Sequence, residues 1–343
     1  MMEAPRVFVA EGGEEEAAGE LAAAVVEVGI EAPFVITSVH GKRLGGALEG
    51  PQLTPVAAAT QGWAEEAGSH AHRAGADAIV AIGGGRCLDL AKLAAARAGV
   101  PVMTVPTQLA HDGICSPVAV VPNERGRTES IGAVTPRAVF VSLAVVSSAP
   151  AETLLAGLGD LMANPLALRD WKLAVDRGLD ELDQDGWDMS WESFERVSPY
   201  LDRDPEGFVH DVDFLRHLAD ALVLSGMAMV EAGTSRLASG AEHEISHAID
   251  EIHGGRALHG AQVAFGCVIS AALYDDENLH GLRATLARLG LPGHPADLGL
   301  TEDEMVTIVL EAPGTRPGRF TILEHADLDE AGARRLVRRL WSD

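Results

Sequence analysis

Short β-branched runs alternate with alanine-rich helical patterns from Arg6 to Val145, and this alternation limits the fold more than any other feature. Strand and helix alternating at such spacing are typical of a parallel sheet covered by helices. The runs that predict strands are Arg6–Ala10, Phe34–Thr37, Ala78–Ile82 and Pro101–Val105. Those that predict helices are Glu14–Val28, Pro55–Ala74 and Leu88–Ala98.

Two further strand-like runs, Val118–Val121 and Ala138–Val141, are separated by NERGRTESIG and predict a hairpin added to the sheet.

After Pro150 the strand patterns fade, and Asp180–Pro205 reads as an acidic, irregular surface segment. Helical patterns dominate instead, at Leu154–Ala174, Asp211–Ala232, Ala241–Glu251, Gln262–Leu273 and Asp327–Leu340. We therefore predict an α/β dinucleotide-binding domain at 1–150 and an all-helical metal- and substrate-binding domain at 151–343.

Composition narrows the class of protein. The 343 residues are 47% hydrophobic, enough for a large core in two domains. A net charge of −25 argues against binding to nucleic acid or anionic membranes, so an anionic small substrate needs local Arg, Lys or backbone amides. The three cysteines are odd in number and far apart, which fits a reducing compartment. With no signal-peptide pattern and no apolar run long enough to span a bilayer, we expect a cytoplasmic protein without membrane insertion.

Two loops of the α/β part carry candidate chemistry. In AIVAIGGGRCLDLAK, glycines at a helix start suit a close approach of the backbone to a pyrophosphate, although the motif is not GxGxxG and a simple tight turn is the alternative. Asp89 and Lys92 lie one helical turn apart and could form an ordinary pair on the helix face. VPTQLAHDGICSP follows the next strand, where His111 and Asp112 offer a titratable pair or merely an Asp-Gly turn.

Histidines in SGAEHEISHAIDEIHGGRALHG are the strongest candidates for a metal site. His243 and His247 stand at i and i+4 of a predicted helix, on one face, and His259 follows a glycine-containing turn. Two or three imidazoles with one carboxylate form the ligand set of a catalytic zinc or iron site. Asp160 of GLGD is the candidate carboxylate, with a helix N-cap as its alternative role. Taken alone, the spacing of His243 and His247 is more typical of an acidic helix surface that binds nothing.

Taken in order, the motifs GGGRCLD, PTQLAHDGICSP, AGLGDLMAN with RDWKLA, SRLASGAEHEISHA, LHG and RPGRFTIL resemble those of the glycerol-1-phosphate dehydrogenases. That family lies in the superfamily of iron-containing alcohol dehydrogenases, glycerol dehydrogenases and dehydroquinate synthases. The resemblance covers residues 77–324 and implies a dehydroquinate synthase-like fold. By the resemblance, Asp160, His243 and His259 bind one divalent metal. Imidazole and carboxylate ligands suit zinc, so we expect zinc first, with nickel or iron as alternatives. We also expect a homo-oligomer.

The same resemblance implies roles for the remaining candidates. Asp112 and His247 would act on the substrate as catalytic residues, and Asp160 would contact both the metal and the substrate, while His253 receives no role. NAD or NADP would lie over Gly84, Gly85, Arg86, Cys87, Leu88, Asp89, Thr107, Gln108, Leu109, Ala110 and Ser116.

Four positions depart from the family pattern. Ala110 stands in place of the usual Ser before HDG, Leu237 in place of Pro, Ala261 in place of Glu after LHG, and Ser142 in place of an Asp. Ala261 matters most, because it follows His259 directly and could remove a group that orients this imidazole.

We therefore predict a metal-dependent, NAD(P)-linked oxidoreductase that interconverts dihydroxyacetone phosphate and sn-glycerol 1-phosphate. Alternatives are a dehydrogenase of another polyol or polyol phosphate, a carbocycle-forming sugar-phosphate synthase that uses NAD transiently, and a silent homologue that only binds nucleotide. Arg316 and Arg319 are candidate partners of the substrate phosphate, because the planar guanidinium binds phosphate oxygens in pairs, and two ordinary surface arginines are the alternative. ITSVHGKR lacks the acidic residue that binds an NAD ribose and offers Lys42 and Arg43, which predicts acceptance of NADPH.

Overall fold

A six-stranded parallel sheet forms the core of the N-terminal part of the protein in the computed structural model, which describes residues 5–124, 126 and 128–341. The strands are β1 (Arg6–Ala10), β2 (Pro33–Thr37), β3 (Gln52–Leu53), β4 (Ala78–Gly83), β5 (Val102–Pro106), β6 (Val118–Pro122), β7 (Thr128–Gly132) and β8 (Ala138–Ser142). The sheet order is β1-β8-β5-β4-β2-β3, and β6 pairs with β7 in a separate antiparallel ribbon. Four inner strands, β2, β4, β5 and β8, are buried along their whole length, as parallel strands covered on both faces require.

The predicted pairing of Val118–Val121 with Ala138–Val141 is wrong. Strand β6 pairs with β7, and β8 lies in the parallel sheet between β1 and β5. The reason is burial: β8 (AVFVS) is buried throughout and apolar in its first four residues, which suits a strand covered on both faces, whereas β6 alternates between buried and half-buried residues. Arg125 and Arg127, in the segment predicted to connect the two strands, lie outside the described residues, as do residues 1–4, 342 and 343 at the ends of the two predicted domains.

Helices make up most of the remaining described chain. They are α1 (Glu14–Glu27), α2 (Lys42–Gly45), α3 (Gln61–Arg73), α4 (Gly85–Ala98), α5 (Leu143–Ser147), α6 (Ala151–Leu161), α7 (Asn164–Asp176), α8 (Gln184–Val197), α9 (Val212–Ala232), α10 (Ala241–His253), α11 (His259–Leu273), α12 (Leu279–Leu289), α13 (Glu302–Glu311), α14 (Ile322–Ala326) and α15 (Glu330–Trp341). None of them is both long enough and apolar enough to cross a membrane. The α/β arrangement followed by a helical part confirms the predicted fold class.

Two helical predictions differ from the structure. The predicted helix Leu154–Ala174 is two helices, α6 and α7, and Pro165 stands at the start of the second, where its fixed φ and missing N–H are tolerated. The segment Asp180–Pro205 is not irregular, because it contains α8. Asp183 caps that helix by accepting from the Gly186 amide at 2.6 Å, a start signal that its acidic composition obscures.

The described chain forms two compact units. The first contains the described residues of Met1–Leu154 together with His210–Val230, and the second contains those of Leu155–Val209 and Glu231–Asp343. Helix α9 therefore belongs mainly to the unit of the parallel sheet, although it lies far from the sheet in sequence. The functional division into 1–150 and 151–343 stays a prediction.

Candidate functional site

Three predicted metal ligands come together in the second unit. Asp160 near the end of α6, His243 of α10 and His259 at the start of α11 offer ligand atoms that all lie within 4.8 Å of one another. Nε2 of His243 is 3.7 Å, and Nε2 of His259 is 3.8 Å, from Oδ1 of Asp160. Ligands about 2.1 Å from one tetrahedral ion stand about 3.4 Å apart. The spacing and the donor set, two imidazoles and one carboxylate, therefore fit a divalent metal.

Helix packing brings these ligands together. Gly159 precedes Asp160, and a Cβ atom there would lie 2.7 Å from the carbonyl oxygen of Gly260, the residue after His259. Helices α6 and α11 thus touch at the point where each carries a ligand. Asp160 lies within α6 rather than at a helix start, so the alternative role as N-cap is wrong.

Each of the two predicted metal-ligand histidines has a polar group at its second ring nitrogen. Nδ1 of His243 lies 3.0 Å from Oε1 of Glu242, and Nδ1 of His259 lies 3.4 Å from Oγ of Ser246. Gln262 also reaches Ser246 Oγ, at 3.3 Å. Its Oε1 accepts from the amides of residues 256 and 257, in the loop before His259. Ser246 thus contacts His259 and is itself contacted by Gln262. A polar group therefore lies at the His259 imidazole although Ala261 replaces the usual Glu.

His247 lies beside this cluster, with a different partner. Its Nε2 is 2.9 Å from Nη2 of Arg316, and its ring centroid is 6.0 Å from that of His259. Burial, followed by the positive charge of Arg316, lowers the pKa of His247 well below its usual value. His247 is therefore a neutral imidazole that accepts from the guanidinium.

The second predicted arginine lies in the same region as Arg316. Arg319 donates to Ser239 O and, at 2.8 Å, to Ser235 Oγ, which Arg316 also approaches at 3.4 Å. Burial lowers the pKa of Arg319 to about 10, so the side chain stays cationic at neutral pH. These half-buried guanidiniums are not ordinary solvated surface charges.

A cluster of buried acids on α7 and α10 was not recognised from the sequence. Asp170 accepts from the amides of Ala241 and Ile322, each at 2.8 Å, and from the Tyr274 hydroxyl at 2.7 Å. Burial raises the pKa of Asp170 to about 7, that of Glu242 to about 7 and that of Glu244 to about 9. Asp170 lies in the motif RDWKLA, but nothing in the sequence connects it with Ala241 at the start of α10, seventy-one positions away.

The glycine turn lies in the first unit, at the carboxyl end of β4. Helix α4 starts at Gly85, and its N-cap Gly84 supplies no side-chain hydrogen bond. The Cys87 amide donates to Gly84 O at 2.9 Å, so the amides that precede it retain capacity for an anionic ligand. A Cβ atom at Gly84 would lie 2.8 Å from Nε2 of Gln108, and the Thr107 amide donates to Gly83 O at 3.0 Å. The turn therefore adjoins the loop after β5, at the sheet edge where open α/β folds bind ligands.

Most of the other predicted cofactor residues in the first unit are buried. Leu88, Leu109, Ala110 and Ser116 are buried, and Arg86 donates to Ala59 O at 2.8 Å. Burial raises the pKa of the Cys87 thiol to about 12. Lys42 and Arg43, the two residues predicted to allow binding of NADPH, are both exposed, and Arg43 pairs with Glu14 at 2.6 Å.

Asp89 and Lys92 form a buried ion pair instead of an exposed one. Nζ of Lys92 lies 2.8 Å from Oδ1 of Asp89 and donates to Gly113 O at 2.9 Å and to Val118 O. Oδ2 of Asp89 accepts from the Val120 amide at 3.0 Å. The pair therefore connects α4 with strand β6 and with the loop that contains His111, Asp112 and Gly113.

Asp112 is held in the first unit by α9. Ser225 donates to Oδ2 of Asp112 at 3.0 Å, and burial raises the pKa of Asp112 to about 6. A Cβ atom at Gly226 would lie 2.8 Å from the amide nitrogen of Ser116, so a glycine is needed where α9 meets this loop. His111 caps the turn by accepting from the Gly113 amide at 3.0 Å.

The other departures from the family pattern have local roles. Ser142 caps α5 by accepting from the Val145 amide at 3.3 Å. Leu237 is fully buried, and its carbonyl oxygen accepts from Ser190 at 2.6 Å. None of these replacements alters a predicted metal ligand.

Comparison with known proteins first defines the class. The family model described as iron-containing alcohol dehydrogenase matches residues 16–150. Among solved structures, a probable glycerol dehydrogenase from Sinorhizobium meliloti superposes with a TM-score of 0.81 at 22% identity over 98% of this chain and 96% of its own. Glycerol dehydrogenase from Schizosaccharomyces pombe gives a TM-score of 0.80 at 17% identity over 100% of this chain and 90% of its own. The fold is thus that of the glycerol dehydrogenase and iron-containing alcohol dehydrogenase class.

Relatives at higher identity narrow the class to one family. Glycerol-1-phosphate dehydrogenase [NAD(P)+] of Thermofilum pendens is 36% identical over 91% of both chains. The protein of the same name from Aeropyrum pernix is 32% identical over 98% of this chain and 96% of its own. This chain belongs to the glycerol-1-phosphate dehydrogenase family.

Proposed function

We propose that this protein is a metal-dependent, NAD(P)-linked oxidoreductase that interconverts dihydroxyacetone phosphate and sn-glycerol 1-phosphate. The observation that carries the proposal is the cluster Asp160, His243 and His259, with the His247–Arg316 pair beside it. A metal-ligand set and a cationic group occur in one helical unit, and metal-assisted reduction of a phosphorylated ketone uses both. The names of the relatives, glycerol-1-phosphate dehydrogenase [NAD(P)+], support this substrate and cofactor.

Asp160, His243 and His259 are the proposed metal ligands, with zinc as the first candidate and nickel or iron as alternatives. A divalent ion held by them would supply Lewis acidity at the C2 oxygen, and NAD(P)H would supply the hydride. His247, neutral and hydrogen-bonded to Arg316, orients a substrate hydroxyl. Asp112, whose pKa of about 6 lies close to neutral pH, accepts or returns a proton. Arg316 and Arg319 bind the substrate phosphate.

The dinucleotide is proposed to lie over the start of α4 and the loop after β5. The uncapped amides of α4 suit its pyrophosphate, and Gly84 and Gly85 leave room for it. Thr107, Gln108 and Ser116 offer polar groups along this edge. The side chain of Asp89 is engaged by Lys92 and Val120, so we propose that Asp89 contributes through the position of α4 and the loop. Lys42 and Arg43 are proposed to allow NADPH beside NADH.

The direct test follows NAD(P)H absorbance with dihydroxyacetone phosphate, and with sn-glycerol 1-phosphate in the reverse direction. Dihydroxyacetone, glycerol and sn-glycerol 3-phosphate serve as comparison substrates. We expect turnover of the first pair only, with both cofactors. Faster turnover of dihydroxyacetone or glycerol would favour a polyol dehydrogenase, and consumption of a larger sugar phosphate without net NAD(P)H change would favour a synthase.

The metal assignment has a separate test. His243→Ala and His259→Ala should lose bound metal and activity together, whereas His253→Ala, on the same helix as His243, should retain both. Full activity of the unmodified protein after chelation and dialysis, with no bound metal, would exclude the metal-dependent mechanism. We further propose a cytoplasmic homo-oligomer. The cytoplasmic assignment is supported by three buried, unbridged cysteines, and the oligomer rests on the family resemblance and is tested by size-exclusion chromatography with light scattering.

A further inference from the structure

Glu242 stands next to His243 at the start of α10, and both side chains are buried. Oε1 of Glu242 lies 3.0 Å from Nδ1 of His243, while Nε2 of the same ring faces Asp160 at 3.7 Å. A carboxylate oxygen on Nδ1 accepts its proton and leaves Nε2 as the nitrogen with the lone pair. The lone pair is then on the nitrogen that the metal site needs.

Glu242 is itself held in place. The Gly240 amide donates to the same Oε1 at 2.5 Å, which ties the carboxylate to the turn that begins α10. Gly266 of α11 packs so closely against the backbone of Glu242 that a Cβ atom would collide with it. Both the backbone and the carboxylate of Glu242 are therefore positioned before any ion binds.

We propose that Glu242 is a positioning residue of the metal centre: by accepting from Nδ1–H of His243 it fixes the tautomer and ring orientation that bind the ion. Carboxylates in this position raise the basicity of a metal-bound imidazole, and their loss lowers metal affinity. The inference rests on the proposed function, since it requires the metal site formed by Asp160, His243 and His259.

Glu244 provides a matched control on the same helix. It flanks His243 on the other side and is as fully buried as Glu242. Its Oε2, however, accepts from Oγ1 of Thr321 at 3.0 Å rather than from a histidine. Loss of a buried carboxylate from α10 is common to variants at both positions, whereas loss of the contact with His243 is specific to position 242.

The experiment measures Zn²⁺ affinity of the metal-free, full-length protein by competition with a chromophoric chelator. The variants are Glu242→Met, which keeps the length of the side chain but removes the acceptor, Glu242→Gln, which retains an acceptor oxygen, and Glu244→Met. We expect Glu242→Met to bind zinc about 10- to 100-fold more weakly. Glu242→Gln should recover most of this loss, and Glu244→Met should match the unmodified protein.

The outcomes separate this inference from the proposed function. If the unmodified protein binds neither Zn²⁺ nor, in the same assay, Ni²⁺ or Fe²⁺, both fail. If it binds zinc and Glu242→Met binds equally well, or if Glu244→Met loses as much affinity as Glu242→Met, the positioning role is overturned while the metal site stands. Circular dichroism of each metal-free protein shows whether it is folded. Should Glu242→Met not fold, Glu242→Asp replaces it: this side chain keeps the charge but falls short of Nδ1, and unchanged affinity would overturn the proposal.

Discussion

Arg316 offers a direct test of how an acidic protein recognises a phosphorylated ketone. The chain carries a net charge of −25, so a phosphate dianion is repelled at long range and needs a local cation. Arg316 is half-buried, and its Nη2 lies 2.9 Å from Nε2 of His247. The guanidinium is thus held beside the residue proposed to orient the substrate hydroxyl. Both Arg316 and Arg319 also contact the hydroxyl of Ser235.

The expected magnitude follows from the type of interaction. A hydrogen bond to a charged group contributes about 1.5 to 3 kcal/mol, and each 1.4 kcal/mol is about tenfold in an equilibrium constant. Replacing Arg316 by Ala should therefore lower kcat/KM for dihydroxyacetone phosphate by about 10- to 150-fold through the phosphate contact. Dihydroxyacetone lacks the phosphate, so its kcat/KM should fall only through the disturbed contact with His247.

The assay measures kcat/KM for both ketones by NADPH absorbance, and the decisive quantity is their ratio. Arg316→Lys should be intermediate, because an ammonium keeps the charge but cannot bind two phosphate oxygens in one plane. Arg177→Ala is the matched control: Arg177 also pairs with a histidine, at 2.7 Å from Nδ1 of His325, but is exposed. An unchanged ratio in Arg316→Ala, or an equal change in Arg177→Ala, would refute the phosphate role.

Three further predictions concern the unit that contains the sheet and the contact between α6 and α11 at the proposed metal site. With the pKa of Asp112 raised from 3.8 to about 6, this residue lowers the free energy of unfolding as pH rises between these values. In the oxidation of sn-glycerol 1-phosphate Asp112 accepts the proton, so kcat/KM for that direction should fall as pH drops through about 6. Ser225→Ala removes a hydrogen bond that lowers this pKa, so the acid limb of the pH profile should move to higher pH; a shift the other way contradicts the assignment. Lys92→Met leaves Asp89 buried without its cation and should lower the free energy of unfolding in urea by about 3 to 5 kcal/mol, whereas adding Asp89→Asn should restore part of it; a larger loss in the double variant would show that the pair is not the cause. Gly159→Ala places a Cβ atom 2.7 Å from a carbonyl oxygen of the facing helix and should reduce zinc content measured by mass spectrometry, and full zinc occupancy would count against close helix contact as the basis of the site.

Local sequence patterns were sufficient to predict the class of fold and to identify the candidate metal ligands. Apolar runs such as Ala78–Ile82, each followed by a helix, predicted the parallel sheet because a strand buried on both faces is largely apolar. The four-residue spacing of His243 and His247 placed both on one face of α10. That spacing could not separate a metal ligand from a neighbour, because helical periodicity brings both rings to the same side. The family resemblance made that separation, and the structure gives His247 a different partner, Arg316.

Tertiary structure decided which distant groups meet. Ser225 reaches Asp112 across 113 positions, and Arg316 reaches His247 across 69, distances at which sequence spacing carries no geometric information. Strand β8 entered the parallel sheet rather than a hairpin because burial on both faces is satisfied only there. The partner of a buried polar group is set by which helices pack together. Glu242 and Glu244 look alike in EHE, yet only the packed structure directs one carboxylate to His243 and the other to Thr321.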